Sequence, residues 1–321
     1  IPDDSAGIRS SRVFSATVTM SISPLRMGID LGGTKIAGVV LDAAGVEVCR
    51  ERLPTPQGDY QLTLQALAGL VARLEDRAGQ PCSVGVGMPG SVSRATGLVK
   101  NSNSVCLNGQ PLHRDLEALL ERPVRFANDA DCFALSEAVD GVAAGAAVVF
   151  GVIIGTGTGG GLVVNRQLVS GPNGISGEWG HNPLPWPQPE ELPGPACYCG
   201  LHGCIETWLS GPGLARDHRA VHGVTMEAVT VAQCAELGDT RALATMQRYM
   251  DRVTRALASV INIIDPDVIV LGGGVSNFRR LYAAVPSRWG EYVFSDRVDT
   301  RLVAAQHGDA SGVRGAAWLW P

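Results

Sequence analysis

The sequence lacks any apolar run long enough to cross a membrane as a helix. Such a helix needs about 20 consecutive apolar residues, whereas the most apolar stretch, residues 148–154, soon runs into glycines. The chain also lacks a dominant run of Lys or Arg, and its formal net charge at pH 7 is −5. This balance argues against nucleic acid or an anionic membrane surface as the main partner. We therefore expect no nucleic acid and no membrane among its partners.

Dense, paired cysteines are also missing. Five of the eight cysteines in the 321 residues are scattered singly, at Cys49, Cys82, Cys106, Cys132 and Cys234. Single cysteines in a chain of this length are more often buried thiols than halves of a disulfide framework. Their distribution predicts a reducing, cytoplasmic compartment.

The first 26 residues lack a sustained hydrophobic period and are rich in serine. A targeting peptide is one interpretation, because arginines outnumber acidic residues after Asp4. We favour the other interpretation, in which residues 1–26 form a disordered extension and Met27 opens the first strand.

From Met27 onward, a pattern of strand, glycine turn and strand occurs twice. "MGIDLGGTKIAGVVLD" (residues 27–42) heads the first half, and "VVFGVIIGTGTGGGLVVN" (residues 148–165) heads the second. After the first unit, apolar residues at helical spacing predict a helix over residues 60–78. Two mixed α/β halves predict two lobes, and small-molecule sites usually lie in the cleft between lobes.

Three glycine-rich turns each follow an apolar strand. Successive backbone N–H groups in such a turn can bind phosphate, and a carboxylate beside them can serve Mg²⁺. A structural hairpin is the competing interpretation of any single turn, but three together favour a nucleotide site. None has the spacing of a phosphate loop or a dinucleotide motif. The candidate residues are Asp30, Gly32, Gly33, Thr34 and Lys35, then Gly155, Thr156 and Gly157, and finally Gly272, Gly273 and Gly274.

The segment "AND" (residues 127–129) ends a predicted strand and opens a predicted helix. Asp129 suits the N-cap of that helix. A carboxylate at a strand end that faces a cleft is equally suited to act as a general base. The residues alone leave both interpretations open.

Several further segments carry a resemblance to a known family. They are "GIDLGGTK", "GVGMPG", "ANDADCFALSEA", "GTGTGGG", "GEWGHNPLP", "CYCGLHGCIE", "DPDVIVLGGG" and "HGDASGVRGAAWL". From about Met27 to its end, the chain resembles the sugar kinases of the ROK family (repressors, open reading frames and kinases), most of all bacterial fructokinases that also accept mannose.

The resemblance implies an α/β, two-lobed actin/hexokinase-like (ribonuclease H-like) fold with a duplicated βββαβαβα core and a cleft between the lobes. The small lobe would comprise residues 27–129 with 306–321, and the large lobe would comprise residues 130–305 with a zinc-binding loop. The resemblance also implies a homodimer.

The resemblance assigns roles to residues of this sequence. Asp129 would be the catalytic base, Asp30 would position Mg²⁺, and the glycine turns would hold ATP. The sugar would be bound by Asn103, Asn128, Asp129, Glu178, His181 and Glu206.

A metal site is predicted in the proline-rich loop that follows. Cys197, Cys199 and Cys204 lie close together in sequence, and His181 precedes them. Thiols and imidazole are the ligands of tetrahedral zinc, and four protein ligands leave no position open for water. The competing interpretation is three buried or redox-active thiols. We therefore predict a structural Zn²⁺ that orients Glu178 and Glu206 and leaves one nitrogen of His181 free for a sugar hydroxyl.

The function expected is an ATP-dependent hexose kinase that phosphorylates the 6-hydroxyl of D-fructose, and also of mannose. An N-acetyl-D-glucosamine kinase or a glucokinase of the same family is the alternative. A sugar-responsive regulator without catalysis is the alternative of another class. The lack of helical periodicity before Met27 disfavours a DNA-binding repressor, and the intact "DLGGTK" together with Asp129 disfavours a non-catalytic sensor.

Overall fold

Two five-stranded mixed sheets form the framework of the protein. The computed structural model describes residues 25–321. Their strands are β1 (Arg26–Leu31), β2 (Lys35–Leu41), β3 (Glu47–Pro54), β4 (Ser83–Met88), β5 (Ser91–Val92), β6 (Val99–Lys100), β7 (Val124–Asn128), β8 (Val148–Ile154), β9 (Thr158–Val164), β10 (Gln167–Leu168), β11 (Val268–Gly272) and β12 (Arg301–Ala304). The helices are α1 (Tyr60–Ala78), α2 (Leu112–Leu120), α3 (Asp129–Val139), α4 (Ile205–Leu209), α5 (Gly211–His222), α6 (Ala228–Glu236), α7 (Thr240–Ile264), α8 (Leu281–Ala284) and α9 (Ser311–Ala317).

The two sheets repeat one topology. The first has the order β3-β2-β1-β4-β7 and the second has the order β10-β9-β8-β11-β12. In each sheet the first three strands are antiparallel neighbours, the central strand pairs in parallel with the fourth, and the fourth pairs in parallel with the fifth. This repeat confirms the duplicated core expected from the two glycine-turn units.

The parallel strands decide where functional groups can gather. The carboxyl ends of parallel strands meet at one edge of a sheet, which is where ligands bind in open α/β sheets. At that edge of the first sheet lie Asp30, near the end of β1, and Asn128, at the end of β7. The turns that begin at Gly155 and Gly273 follow β8 and β11 at the same edge of the second sheet.

Helix α1 shows how the sequence positions the outer layer. The predicted helix over residues 60–78 is confirmed, and its apolar stripe of Leu64, Leu67, Val71 and Leu74 is buried. The side chain of Asp59 caps its start by accepting a hydrogen bond from the backbone N–H of Leu62. The stripe packs against the first sheet, which leaves the polar face of the helix to solvent.

Two helices, α3 and α9, pack together where the two sheets meet. Helix α9 contacts β1 and β4 of the first sheet, and α3 contacts β8 and β9 of the second. Their approach is so close that a Cβ atom at Gly315 would lie 1.6 Å from the carbonyl oxygen of Cys132. The buried carboxylate of Glu137 accepts hydrogen bonds from the N–H groups of Gln306 and His307 and from the Ser311 hydroxyl. These bonds fix the C-terminal helix to α3.

The first strand begins earlier than the sequence predicted. Strand β1 starts at Arg26, not Met27, and Leu25 is already buried. Arg26 belongs to the fold because its Nε donates a hydrogen bond to the carbonyl of Trp320 (3.1 Å). The rest of the predicted extension, residues 1–24, lies outside the described residues. Among residues 25–321, no helix has the length and apolarity to cross a membrane.

Candidate active site

A pair of carboxylates marks the cleft side of the first sheet. Asp30 is the last residue but one of β1, and Asp129 is the first residue of α3. Burial and, to a smaller extent, the negative charge of Asp129 raise the pKa of Asp30 to about 6, against the lowering effect of Lys35. Burial also raises the pKa of Asp129, against the lowering effect of the hydrogen bond from the Ala130 backbone N–H. Two like charges that act on each other in a partly dry cleft favour a proton or a cation between them.

The cap of α3 tests the first interpretation of Asp129, that it is the N-cap. The N-cap is Asn128, whose Oδ1 accepts a hydrogen bond from the Ala130 N–H at 2.8 Å, so Asp129 is not the cap. Asn128 also donates from Nδ2 to the Gly90 carbonyl, which ties it to the Pro-Gly turn after β4. The carboxylate of Asp129 is open to solvent in the cleft even though protein surrounds it closely. It is therefore accessible to a ligand.

A cavity of about 460 Å³ lies between the two sheets, and Asn128, Asp131 and Glu178 are among its lining residues. Asp131, two residues after Asp129, has a buried Oδ1 without a hydrogen-bond partner in the described structure. Burial raises the pKa of Asp131 to about 7, and the charges of Glu178 and Asp129 add to the shift. The sequence reasoning missed Asp131, although its position in the first turn of α3 was a usable signal.

Glu206 connects the second glycine turn to the proline-rich loop. Its Oε2 accepts a hydrogen bond from the backbone N–H of Thr158 at 2.9 Å. A Cβ atom at Gly157 would lie 2.7 Å from the same oxygen, so glycine is needed there for the carboxylate to fit. The N–H of Gly211, at the start of α5, donates to the carbonyl of Gly155. Helices α4 and α5 are thus docked against this turn.

The four predicted metal ligands come together. One ligand atom each of His181, Cys197, Cys199 and Cys204 lies within 4.8 Å of all the others. The Sγ atoms of Cys199 and Cys204 are 3.6 Å apart, and Cys197 Sγ is 3.6 Å from His181 Nδ1. With Zn–S bonds of about 2.3 Å, tetrahedral ligands are separated by about this distance. The donor set and its spacing therefore fit Zn²⁺.

The other nitrogen of His181 faces away from the thiols. Its Nε2 is 2.9 Å from the Tyr198 hydroxyl, and the two rings are nearly perpendicular with centroids 5.1 Å apart. Burial and, to a smaller extent, the charges of Glu206 and Glu178 raise the pKa of Tyr198 to about 12. Tyr198 therefore lies close to three of the residues expected to bind a sugar.

A buried ion-pair cluster holds the proline-rich loop to helix α7. Glu191 accepts hydrogen bonds from Arg252 Nε at 2.8 Å and from two nitrogens of Arg255 at 2.9 Å. Arg255 also donates to the carbonyls of Pro185 and Trp186. Burial alone would raise the pKa of Glu191, but the hydrogen bonds from Arg255 and Arg252 hold it at about 2. The sequence carries no local signal for this cluster, because its partners lie more than 60 residues apart.

The third glycine turn borders a separate cavity of about 350 Å³. Gly274, Val275 and Phe278 line one side, and Ala228 and Val229 of α6 line the other. Such a mostly apolar slot beside a glycine turn suits a flat ring.

Two members of the predicted nucleotide set differ in their surroundings. Gly272 is buried, and a Cβ atom there would lie 2.5 Å from the ring of Phe133. Gly273, by contrast, is exposed with a φ of 83°, in the left-handed region that favours glycine. The backbone open to a ligand is therefore that of Gly273 and Gly274.

The remaining predicted residues lie on the rim of the first sheet. Gly33, Thr34 and Lys35 are exposed in the turn between β1 and β2, and the Gly32 N–H donates to the Lys35 carbonyl. Asn103 is exposed and lines a third cavity, of about 470 Å³, together with Gly33 and Thr34. Asn103 thus lies beside the first glycine turn and lines a different cavity from Asn128 and Glu178.

Comparison with known proteins settles the family. A family model described as the ROK family matches residues 26–321. The chain belongs to the ROK family. An N-acetyl-D-glucosamine kinase of Yersinia enterocolitica is 40% identical over 296 residues, which cover 91% of this chain and 98% of the relative. An N-acetyl-D-glucosamine kinase of Escherichia coli has the same identity and coverage.

Solved ROK structures share the fold. The ROK hexokinase of Thermus thermophilus superposes with a TM-score of 0.82 at 33% identity, covering 92% of this chain and 97% of that one. The ROK glucokinase of Streptomyces griseus, solved with glucose and AMPPNP, gives a TM-score of 0.73 at 27% identity, covering 92% and 98%. These matches confirm both the ROK resemblance and the actin-like, two-lobed sugar kinase fold.

We expect Asp131→Asn to reduce the loss of stability that occurs as the pH rises. The Asp131 pKa is about 7 in the folded protein and about 3.9 in an unfolded chain. The folded state therefore holds the proton more tightly, and ionisation of Asp131 costs stability as the pH rises through about 7. In urea denaturation without Mg²⁺, wild type should lose about 2 kcal/mol more than the variant between pH 5 and pH 8. The exposed Asp296→Asn should follow wild type, and parallel curves for wild type and Asp131→Asn would contradict the assignment.

We expect Glu191→Gln to destabilise the protein strongly. Arg255 and Arg252 are 1% and 6% exposed, and the substitution leaves them with Asp251 and Asp217 as their remaining acidic partners. Breaking a buried ion pair by changing one partner costs about 3–5 kcal/mol, and we expect the lower end because each arginine keeps one acid. Urea denaturation at pH 7 measures this loss, and Glu190→Gln is the matched control because Glu190 is the exposed neighbour. Equal stabilities of the two variants would show that the cluster does not hold the loop.

Proposed function

We propose that this ROK protein is an ATP- and Mg²⁺-dependent hexose kinase that phosphorylates the sugar 6-hydroxyl, with N-acetyl-D-glucosamine as its preferred substrate. The observation that carries the proposal is the position of Asp129. Its charge acts on the buried Asp30, and its chain neighbour Asn128 lines a cavity together with Glu178. A base in that place would touch both a phosphate site and a sugar site.

Asp129 would act as the general base. A sugar bound by Asn128, Glu178, His181 and Glu206 would present its 6-hydroxyl to this carboxylate. As the hydroxyl oxygen bonds to the γ-phosphorus of ATP, its proton passes to Asp129, and the bond from the γ-phosphorus to the bridging oxygen breaks to release ADP. A raised pKa suits the role, because a base works best when its pKa approaches the working pH.

The residues present fit both metal ions. Asp30 is a buried carboxylate next to a second negative charge, and such a group is suited to a cation or to a water bound by one. When bound with ATP, Mg²⁺ would neutralise charge on the phosphates. Zn²⁺ would be held by His181, Cys197, Cys199 and Cys204 and would serve to order the loop.

ATP would lie mainly on the large lobe. Its phosphates would approach the backbone N–H groups of the turns at Gly32–Lys35 and Gly155–Gly157. Its base would fill the cavity between Gly274 and helix α6. The Streptomyces griseus glucokinase, solved with AMPPNP, supports a nucleotide in a fold of this kind.

The relatives bear on which sugar is preferred. The sequence favours fructose, because "KNSNSVCLNGQPL" and "EWGHNPLPW" most resemble bacterial fructokinases that also accept mannose. The relatives named N-acetyl-D-glucosamine kinase, at 40% identity over nearly their whole length, support the alternative instead. N-acetyl-D-glucosamine therefore comes first, and fructose is the second candidate. The homodimer implied by the resemblance stays a prediction.

The proposal is tested by ADP release. N-acetyl-D-glucosamine, fructose, mannose and glucose would be offered separately with Mg-ATP to wild type and to Asp129→Asn. We expect N-acetyl-D-glucosamine to give the highest kcat/KM, and the variant to lose about 10²–10⁴-fold in kcat because it lacks the base.

The outcomes separate the parts of the proposal. A higher kcat/KM with fructose would leave the kinase assignment intact and overturn the preferred sugar. Full activity of Asp129→Asn would overturn its role as base. If wild type bound a hexose but phosphorylated none, the protein would be a sugar-responsive regulator instead.

A further inference from the structure

Tyr198 stands between two metal ligands but is not itself held in the core. Cys197 and Cys199 flank it in sequence, and its side chain is 83% exposed. The Cys197 N–H donates to the Leu201 carbonyl and the Gly200 N–H donates to the Cys197 carbonyl, so the backbone on both sides belongs to a tight turn. A metal on the flanking thiols would fix this backbone further. Only the tyrosine side chain is then free to rotate.

The Tyr198 hydroxyl lies where a ligand hydroxyl would be expected. With His181 Nδ1 directed at the thiols, Nε2 is the nitrogen left for other partners, and a metal-bound histidine normally donates its second N–H to an oxygen. Here that oxygen is the Tyr198 hydroxyl, at 2.9 Å. The same N–H was expected to bind a sugar hydroxyl. Tyr198 therefore either shares this corner of the site with the sugar or moves when the sugar enters.

The Tyr198 hydroxyl and His181 Nε2 would lie away from the end of the sugar that reacts. Tyr198 and His181 belong to the proline-rich loop and lie 2.9 Å apart at the hydroxyl and Nε2, whereas Asp129 begins α3 at the end of β7. If the 6-hydroxyl is at Asp129, the C1 and C2 end of the ring points toward His181 and Tyr198. The hexoses under consideration differ from one another at C1 and C2, as an acetamido group, an epimer or a ketose.

We propose that Tyr198 contacts the C1–C2 end of the bound hexose and determines which hexose is selected. Its aromatic ring supplies an apolar wall, and its hydroxyl supplies a polar tip that hydrogen-bonds with His181 and the sugar. This inference rests on the proposed hexose kinase activity and adds to it the residue that sets substrate choice.

Two substitutions distinguish the contribution of the Tyr198 ring from that of its hydroxyl. Tyr198→Ala removes both, and Tyr198→Phe removes the hydroxyl alone. Tyr292→Phe is the matched control, since the Tyr292 ring packs at a tilt against Trp186, with the ring centroids 5.2 Å apart. For each protein, kcat/KM is measured with the four sugars, sugar affinity is measured by calorimetry without nucleotide, and bound zinc is quantified.

We expect Tyr198→Ala to keep its zinc and to lower the ratio of kcat/KM between the best and the poorest sugar about tenfold. The loss should lie mainly in KM, because the residue is remote from the reacting hydroxyl, and sugar affinities should change in the same order. If Tyr198→Phe matches the alanine variant, the hydroxyl makes the selection; if it matches wild type, the ring does.

The proposal is overturned if Tyr198→Ala retains full zinc and the same preference among the sugars within about twofold. It is equally overturned if zinc is lost and kcat falls alike for every sugar, because Tyr198 would then be structural. If wild type phosphorylates no hexose but binds them with a preference that Tyr198→Ala abolishes, the kinase assignment fails while the role of Tyr198 stands. If wild type binds no hexose, both fail.

Discussion

The loop from Glu178 to Glu206 must be held rigid for the cleft to recognise a sugar, because the side chains that would bind it come from the two ends of this loop. The segment is rich in proline and glycine and contains little regular structure. Two sets of contacts constrain this loop. The His181–Cys197–Cys199–Cys204 cluster joins its ends, and the Glu191–Arg255 ion pair fixes its middle to helix α7. Without them the entropy of so long a loop would oppose any single arrangement of Glu178, His181 and Glu206.

The same loop reaches the nucleotide side of the cleft through Glu206. Its carboxylate accepts a hydrogen bond from the backbone N–H of Thr158, next to the second glycine turn. The carbonyl of Gly155, in that turn, accepts a hydrogen bond from the N–H of Gly211 at the start of α5. Sugar and nucleotide sites would therefore share one structural element. On the opposite wall, Asp30 and Asp129 approach each other at the carboxyl ends of β1 and β7. The duplicated topology explains why both walls offer a glycine turn after the central strand.

Much of this arrangement could be predicted from the sequence. The glycine-turn units predicted the duplicated sheets, and the cysteine spacing predicted that His181, Cys197, Cys199 and Cys204 come together, because both are local patterns. Helix α1 followed from its apolar spacing. The predicted start of β1 was one residue too late, because Arg26 is held by contacts with Trp320 that sequence neighbours do not show. Glu191 and Tyr198 were missed for a related reason, since their partners Arg255 and His181 are brought near only by the fold. The preferred sugar was not fixed by local motifs either, since it depends on a few contacts at one end of the site.

The most direct test is hexose binding by calorimetry before and after removal of the metal from the folded protein. We predict that chelation weakens hexose affinity about tenfold or more, or about 1.4 kcal/mol, while the affinity for Mg-AMPPNP changes much less, and that added Zn²⁺ restores hexose binding. Circular dichroism would verify that the metal-free protein is folded. Unchanged hexose affinity in a folded, zinc-free protein would show that the cluster does not organise the sugar site.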